Sequence, residues 1–268
     1  MWEGCELMKN LIAIDLDDTL LTSQKNISPL TKETIMSLSD KGYKFVIATG
    51  RSFNGAKKYH KELNLKTPVV SHNGSLVTFP DGKILAEYMP ESEIKDIIDQ
   101  IKEYAVSIII NLEDSIHSHN FNKELELLFN GASIDNIVEL DFNNLPKNVL
   151  NLVILIKEEN REKFEKIFES KKIKQRYWGT YDGECFYDLY LSDISKYSAL
   201  KKVLKHYNLT KEDLIAFGDS SNDIEMLSNA KIGIAMKNAQ NHVKEKANEE
   251  TDFDNNNDGI AHYLKTFI

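Results

Sequence analysis

Polar side chains that could do chemistry follow several short apolar runs of this 268-residue sequence. They are Asp15, Asp17, Asp18 and Thr19 after the first run, Thr49 and Arg51 after the second, Asn73 after the third, and Asp219, Asn222 and Asp223 after a late run. If these runs are strands of one parallel sheet, the polar residues lie at its carboxyl edge, where such sheets bind ligands.

Carboxylates gathered at one edge of a sheet repel one another. Two unit charges about 4 Å apart repel by about 4 kcal/mol at an effective dielectric of 20. A bound cation relieves this repulsion, and oxygen ligands without His or Cys favour a hard ion such as Mg²⁺. One Asp alone would be more typical of a helix cap. Because several such residues each follow an apolar run of the same predicted sheet, a functional site is favoured over separate helix caps.

The elements that must position these residues alternate along the chain. Apolar runs predict five strands of one sheet, at residues 11–14, 43–48, 68–70, 214–217 and 232–235. Amphipathic segments between them predict helices, the first opened by Ser28 and Pro29 and closed by Gly42. The alternation indicates an α/β fold with a doubly wound parallel sheet.

The middle of the chain differs in character from both flanks. It has apolar runs of its own and charged helical segments between residues 87 and 189. Both flanks share one doubly wound pattern, so we expect one domain formed by residues 1–86 and 190–268. Residues 87–189 are then a second domain inserted into the first.

Composition indicates a folded, acidic protein. The chain has 33 Lys and Arg against 42 Asp and Glu, a net charge of -9, and 41% hydrophobic residues. This balance argues against nonspecific binding to nucleic acid or to a membrane surface, which favours basic patches. The negative net charge does not exclude a small phosphorylated partner, because the binding of a small molecule depends on the charge around its own site.

No apolar stretch reaches the roughly 20 residues of a membrane-spanning helix, and the first ten residues lack the pattern of a secretion signal. We therefore expect a cytoplasmic protein. Cys5 and Cys185 are too few for a disulfide or metal framework, and both are expected to be reduced.

The motifs resemble those of haloacid dehalogenase-like phosphohydrolases, in the family's order along nearly the whole chain. They are Asp15-Leu16-Asp17-Asp18-Thr19-Leu20-Leu21, Thr49-Gly50-Arg51, Lys196, and Gly218-Asp219-Ser220-Ser221-Asn222-Asp223. Asn73-Gly74 and Met236-Lys237-Asn238-Ala239 further resemble the Cof-type (IIB) branch, which includes sugar-phosphate phosphatases. Tyr197 and Lys237 depart from the pattern, since Gly is frequent at both positions in that branch.

The resemblance implies a Rossmann-like core with an inserted α/β cap of the C2 type. It also implies a Mg²⁺-dependent phosphatase that hydrolyses small phosphomonoesters, such as sugar phosphates, through an aspartyl-phosphate. Asp15 would be the nucleophile, ionised at neutral pH because an ordinary Asp has a pKa near 3.9. Asp17 would be the general acid and base, and we expect neighbouring carboxylates and burial to hold it partly protonated.

The resemblance also implies roles for the other motif residues. The metal ligands would be the carboxylates of Asp15 and Asp219 and the main-chain carbonyl of Asp17. The residues expected to bind substrate are Thr49, Gly50, Lys196 and Asn222. Asp223 would orient the lysine or a metal-bound water.

Two other functions remain open at this point. A phosphomutase would use the same aspartyl-phosphate but return the phosphoryl group to the substrate. A phospho-accepting signalling or sensing domain also gathers Asp, Thr and Lys at strand ends, although in a shorter chain. We expect a monomer.

Overall fold

The computed structural model describes residues 10–121, 136–169 and 172–267. They form two compact units, one made of the residues up to Leu85 and from Ser195 onward, the other of Ala86–Ile194. The second unit continues past residue 189 because its sheet does: Leu191 pairs with Ile173. Cys5 lies outside the described residues, and Cys185 is a buried free thiol.

The strands and helices of the two units are numbered together in chain order. In chain order the strands are β1 (Leu11–Ile14), β2 (Lys44–Ala48), β3 (Val69–Ser71), β4 (Leu76–Thr78), β5 (Ile84–Ala86), β6 (Ala105–Asn111), β7 (Ile116–His119), β8 (Ile137–Glu139), β9 (Asn151–Lys157), β10 (Ile173–Tyr181), β11 (Glu184–Leu191), β12 (Leu214–Gly218), β13 (Ile232–Ala235) and β14 (Glu249–Glu250). The helices are α1 (Pro29–Asp40), α2 (Phe53–Glu62), α3 (Glu91–Ile101), α4 (Arg161–Lys166), α5 (Lys196–His206), α6 (Ile224–Asn229), α7 (Asn241–Lys244) and α8 (Gly259–Leu264).

The first unit is built on one sheet with the strand order β14-β13-β12-β1-β2-β3-β4-β5. Neighbours from β14 to β3 run parallel, and β4 is antiparallel to β3. Side chains of β1 alternate between two cores. Ile12 and Ile14 pack with α1, α2 and α8, whereas Leu11 and Ala13 pack with α5, α6 and α7. Helices cover both faces, which confirms the predicted doubly wound fold.

The register of the central strands aligns their carboxyl ends. Ile14 at the end of β1 pairs with Ile47 of β2 on one side and with Phe217 of β12 on the other. Asp15 therefore begins a loop beside the loop that follows β12. This alignment is what brings residues distant in sequence to one edge of the sheet.

The five strands predicted from apolar runs are confirmed, and so is the start of α1, where the Ser28 hydroxyl accepts a hydrogen bond from the Thr31 amide. The short strands β4, β5 and β14 were not predicted. The last of these consists of two exposed glutamates and so carries no apolar signal.

The inserted unit has a six-stranded sheet with the order β10-β11-β9-β6-β7-β8. Its pairs are antiparallel except for β7 with β8, and α3 and α4 pack on one face. The β10–β11 hairpin was not predicted, because β10 is an edge strand whose side chains are mostly exposed. No helix in the described part of the chain is long and apolar enough to cross a membrane.

Gly74 allows the loop after β3 to approach α5 closely. It has a φ of +105°, and a Cβ at this position would lie 2.1 Å from the carbonyl oxygen of Ser195. Ser195 caps α5, whose first residue is Lys196. A larger residue at position 74 must therefore move the backbone that carries this lysine.

We predict that Gly74→Ala lowers the free energy of unfolding by about 2 kcal/mol more than Gly82→Ala does. Gly82 is the matched control, because it also has a positive φ (+87°) but no atom within 4 Å of its Cβ position. Chemical denaturation of both variants measures the difference. Equal losses would contradict the importance of this close approach.

Candidate active site

A buried lysine joins two aspartates at the carboxyl edge of the first unit's sheet. The Nζ of Lys196 donates hydrogen bonds of 2.6 Å to Oδ1 of Asp15 and to Oδ1 of Asp223. The side chain of Lys196 is 1% exposed, and those of Asp15 and Asp223 are 7% and 0% exposed. Lys196 is fixed at the start of α5, where the Ser195 hydroxyl accepts a hydrogen bond from the Ser198 amide.

Asp223 also holds the loop that follows β12. Its Oδ2 accepts hydrogen bonds from the amides of Asp219 (3.1 Å) and Ser220 (3.0 Å). A Cβ on Gly218 would lie 2.5 Å from the Cβ of Asp223, so glycine is needed for this packing. Both oxygens of Asp223 are engaged by the protein, which makes it a support for Lys196 and for the loop.

Asp219 completes a cluster of three carboxylates. One oxygen from each of Asp15, Asp219 and Asp223 lies within 4.8 Å of the others. Oδ1 of Asp219 accepts a hydrogen bond of 2.7 Å from the Thr19 hydroxyl. Within the described residues, Oδ2 of Asp15 and Oδ2 of Asp219 accept no hydrogen bond, so these two atoms remain available to a ligand.

The cluster carries more negative than positive charge. Burial, followed by the charge of Asp223, raises the pKa of Asp219 to about 7. Burial also raises the pKa of Asp15 well above its usual value, although Lys196 opposes the shift. The expectation that Asp15 keeps an ordinary pKa was therefore wrong, because it neglected the loss of solvent around the carboxyl group. Burial lowers the pKa of Lys196, but its two aspartate partners outweigh burial and raise it.

This donor set fits a hard divalent cation. All three groups are carboxylates, without a His or Cys, and two of them have an unengaged oxygen. One ammonium, that of Lys196, faces these three carboxylates. A divalent ion would supply the missing charge.

Asp17 lies in a different environment from Asp15. The Nε of Arg51 donates to its Oδ2 (2.7 Å), Nη2 of Arg51 donates to its Oδ1 (2.6 Å), and Nζ of Lys25 donates to the same Oδ1 (2.9 Å). Burial of the Asp17 carboxyl raises its pKa, but Arg51 and then Lys25 outweigh burial and lower the pKa to about 2. The expectation that neighbouring carboxylates hold Asp17 partly protonated was wrong. Its neighbours are cations.

The residues expected to bind substrate lie around the loop after β3. The Thr49 hydroxyl accepts a hydrogen bond of 3.1 Å from the Arg51 amide, and Thr49 is buried. A Cβ added to Gly50 would lie 3.1 Å from Oδ1 of Asn73, so the backbone of Gly50 passes close to this side chain. That same oxygen accepts a hydrogen bond of 2.8 Å from Nδ2 of Asn222. Within the described residues, Nδ2 of Asn222 has this one partner, and its buried Oδ1 has none.

The two departures from the Cof-type pattern have separate structural roles. Tyr197 is buried and packs with the core formed by β1, β12 and α5. The Nζ of Lys237 pairs with Glu250 at 3.3 Å, while the neighbouring Asn238 donates from Nδ2 to the carbonyl of Asp18 at 2.7 Å.

Comparison with known proteins agrees with this geometry. A model of the haloacid dehalogenase-like hydrolase family matches residues 12–264. The chain belongs to this family. The resemblance read from the motifs, including that to the Cof-type branch, is thereby confirmed, and so is the prediction of an enzyme of the phosphatase class.

Relatives and solved structures match over nearly their full length. The chain is 32% identical to the 5-amino-6-(5-phospho-D-ribitylamino)uracil phosphatase YitU of Bacillus subtilis, covering 96% of this chain and 97% of that protein. It is 27% identical to the pyridoxal phosphate phosphatase YbhA of Escherichia coli, covering 96% of this chain and 98% of that protein. A haloacid dehalogenase-like hydrolase from Bacteroides thetaiotaomicron shares the fold, with a TM-score of 0.82, 24% identity and coverage of 97% and 99%.

Sequence reasoning missed three contacts of the site. Lys25 was not singled out, Arg51 was not linked to Asp17, and Asn73 was not linked to Asn222. The sequence carried a signal for Arg51 and Asn73, since both follow predicted strands of the same sheet. It carried none for Lys25, because its contact with Asp17 depends on the conformation of a turn.

We predict that Asp17 stabilises the protein in its ionised form. Because its folded pKa of about 2 lies below the usual value near 4, its contribution is present above about pH 4. It is lost as the pH falls toward 2. The stability advantage of the wild type over Asp17→Asn should therefore be constant from about pH 7 to 5 and shrink below about pH 4.

Denaturant unfolding across this pH range measures the difference. Asp40→Asn, at an exposed position of α1, is the control and should show no such trend. An advantage that does not shrink in acid would contradict the pairing of Asp17 with Arg51 and Lys25.

Proposed function

We propose that this protein is a Mg²⁺-dependent phosphatase that hydrolyses small soluble phosphomonoesters, such as sugar phosphates, through an aspartyl-phosphate. The observation that carries the proposal is the arrangement around Asp15. One of its oxygens is held by the buried ammonium of Lys196, the other accepts no hydrogen bond among the described residues, and its carboxyl group lies in one cluster with that of Asp219.

Asp15 is the proposed nucleophile of the first step. Its Oδ2 attacks phosphorus, and the bond between phosphorus and the leaving oxygen breaks with its electron pair on that oxygen. Asp17 takes up a proton from solvent before this step and gives it to the leaving oxygen, which yields the alcohol and a phosphorylated Asp15. The ion pairs of Asp17 with Arg51 and Lys25 oppose this protonated form, so it is the minor form at neutral pH.

Water completes the reaction in a second step. It attacks phosphorus and gives a proton to Asp17, while the bond to Asp15 breaks and inorganic phosphate is released. The ion pairs of Asp17 favour its ionised form, which is the form that accepts this proton.

The remaining residues bind the phosphoryl group in this proposal. Lys196 lies beside the attacking carboxylate, so its charge reduces the repulsion between Asp15 and an anionic substrate. Thr49, Gly50 and Asn222 supply polar groups around the phosphoryl oxygens. Mg²⁺, held by Asp15, Asp219 and the carbonyl of Asp17, would neutralise charge on the phosphoryl group.

The relatives support a small phosphorylated metabolite as the substrate. YitU and YbhA are named for phosphate esters of small molecules. All the proposed catalytic groups belong to the first unit, so we propose that this unit is the catalytic core and that the inserted unit, Ala86–Ile194, is the cap. We further propose that the enzyme is cytoplasmic and monomeric and binds neither nucleic acid nor a membrane.

We predict that Asp15→Asn lowers kcat/KM for 4-nitrophenyl phosphate by about 10³-fold or more, because an amide cannot serve as the nucleophile. Release of phosphate with Mg²⁺ from this substrate, sugar phosphates, pyridoxal phosphate and the YitU substrate is the measurement. Asp40→Asn is the control and should retain full activity. Full activity of Asp15→Asn, or of the wild type in excess chelator, would contradict the proposal.

The products of the same assay separate the alternatives. Free phosphate indicates hydrolysis, whereas a rearranged sugar phosphate without free phosphate indicates a mutase. Stable phosphorylation of the protein without turnover would indicate a phospho-accepting domain.

We predict that stabilisation by Mg²⁺ increases as the pH rises through about 7. The folded pKa of Asp219 is raised, so its protonated form stabilises the ion-free protein at low pH, and this contribution is lost as the pH rises from about 4 through about 7. Mg²⁺ binds the ionised form and compensates for the loss.

Thermal unfolding with MgCl₂ at about pH 6, 7 and 8 measures this effect. KCl at equal ionic strength is the control, and Asp219→Asn should remove most of the shift. A shift that is independent of pH, or equal in Asp219→Asn, would contradict the assigned metal site.

A further inference from the structure

The first motif turns sharply at Asp18, whose backbone is left-handed. Asp17 has φ and ψ angles of -71° and 129°, and Asp18 has angles of 56° and 12°. These angles are those of a type II β-turn, whose third residue needs a positive φ and is usually Gly or Asn. Because an aspartate occupies this position, the turn has a conformational cost that glycine would avoid.

The peptide groups on both sides of this corner are held by hydrogen bonds. The Leu16 carbonyl accepts a hydrogen bond of 2.9 Å from the Leu21 amide. The Asp18 carbonyl accepts one of 2.7 Å from Nδ2 of Asn238. Asn238 is itself fixed, since its Oδ1 accepts a hydrogen bond of 3.1 Å from the Asn255 amide. The middle peptide group of the turn is therefore the part that remains able to rotate.

Rotation of the middle peptide group would convert the turn to type I. The ψ of Asp17 would change to about -30° and the φ of Asp18 to about -90°, while the flanking peptide groups stay in place. A type I turn is compatible with most residues at its third position, aspartate included. The rotation would also reverse the direction of the Asp17 carbonyl, because this carbonyl belongs to the middle peptide group.

Both ends of the turn reach the carboxylate cluster. Asp15 directly precedes the turn, and the Thr19 hydroxyl at its end donates a hydrogen bond of 2.7 Å to Asp219. The carbonyl that the rotation would reverse is the one expected to bind the metal ion together with Asp15 and Asp219. Left-handed backbone at a residue other than glycine concentrates at functional sites, and this one adjoins a proposed ligand.

We propose that Asp18 is a positioning residue, whose left-handed backbone holds the Asp17 carbonyl in the orientation that binds the metal ion. This inference rests on the proposed function. Mg²⁺ requires a nearly ideal octahedron of oxygens, so a turn already in the binding orientation binds the ion more tightly than one that must first rotate. The role belongs to the backbone, because the Asp18 side chain is 54% exposed and lies 4.0 Å from Nζ of Lys25.

The test compares Asp18→Gly with Asp18→Ala. Both variants lack the carboxylate, so the effect of its charge on the metal ion is removed equally. They differ in the backbone, because glycine adopts a positive φ without strain, whereas alanine favours the type I turn. Mn²⁺ is the probe, since it prefers the same oxygen ligands as Mg²⁺. The EPR signal of unbound Mn²⁺ measures its binding without substrate or turnover.

We expect Asp18→Ala to bind Mn²⁺ about tenfold more weakly than Asp18→Gly, because only a fraction of its molecules has the turn in the binding orientation. Asp18→Asn should lie between the two, since asparagine tolerates a positive φ better than alanine does. Equal affinities of the glycine and alanine variants would overturn the role of Asp18.

Asn64 provides a matched control for backbone strain. It is exposed, follows α2 and has a φ of +51°. Asn64→Ala should unfold at a lower temperature than Asn64→Gly, because alanine is strained at a positive φ, but the two should bind Mn²⁺ equally. If the alanine variant at position 64 also binds Mn²⁺ tenfold more weakly, the effect is one of general stability and the proposal is wrong.

Failure of the proposed function has a different signature. If the wild type binds no Mn²⁺, or if Asp219→Asn binds it as tightly as the wild type, the proposed metal site is wrong and the role of Asp18 fails with it. If the wild type binds Mn²⁺ through Asp219 and the two variants at position 18 bind it equally, the role of Asp18 alone fails.

Discussion

The buried ammonium of Lys196 is the interaction on which the rest of the site depends. It joins Asp15, which follows β1, to Asp223, which follows β12, and both bonds are 2.6 Å long. Removing one partner of a buried ion pair leaves an uncompensated charge, which is strongly destabilising. The close approach of Gly74 to α5 and that of Gly218 to Asp223 both serve to place these charges.

Charge divides the site into two parts with opposite behaviour. Around Asp15 and Asp219, acidic groups exceed basic ones, so burial and mutual repulsion favour protonation. Around Asp17, two cations favour the carboxylate. Two aspartates that are separated by one residue in sequence therefore have pKa values shifted in opposite directions. A cation held by Asp15 and Asp219 would favour the ionised form of both carboxyl groups, and the nucleophile needs that form.

The sequence predicts the strand ends well because their signal is local. An apolar run followed by a polar cluster located Asp15 and Asp219, and the parallel order of the strands then predicted that they meet. The environment of Asp17 could not be predicted in the same way. It depends on the rotamer of Arg51 and on a left-handed turn at Lys25, neither of which has a pattern in sequence. The β10–β11 hairpin was missed because an exposed edge strand lacks a continuous apolar run.

The most direct test of the account is to identify the residue that carries the phosphoryl group during turnover. Asp17→Asn, which should slow the second step, is mixed with 4-nitrophenyl phosphate and Mg²⁺, quenched in acid and reduced with borohydride, which converts a phosphorylated aspartate to homoserine. Peptide mass spectrometry then locates the product. The account predicts homoserine at position 15 alone. Homoserine at another aspartate, or none in a sample that has released nitrophenol, would contradict it.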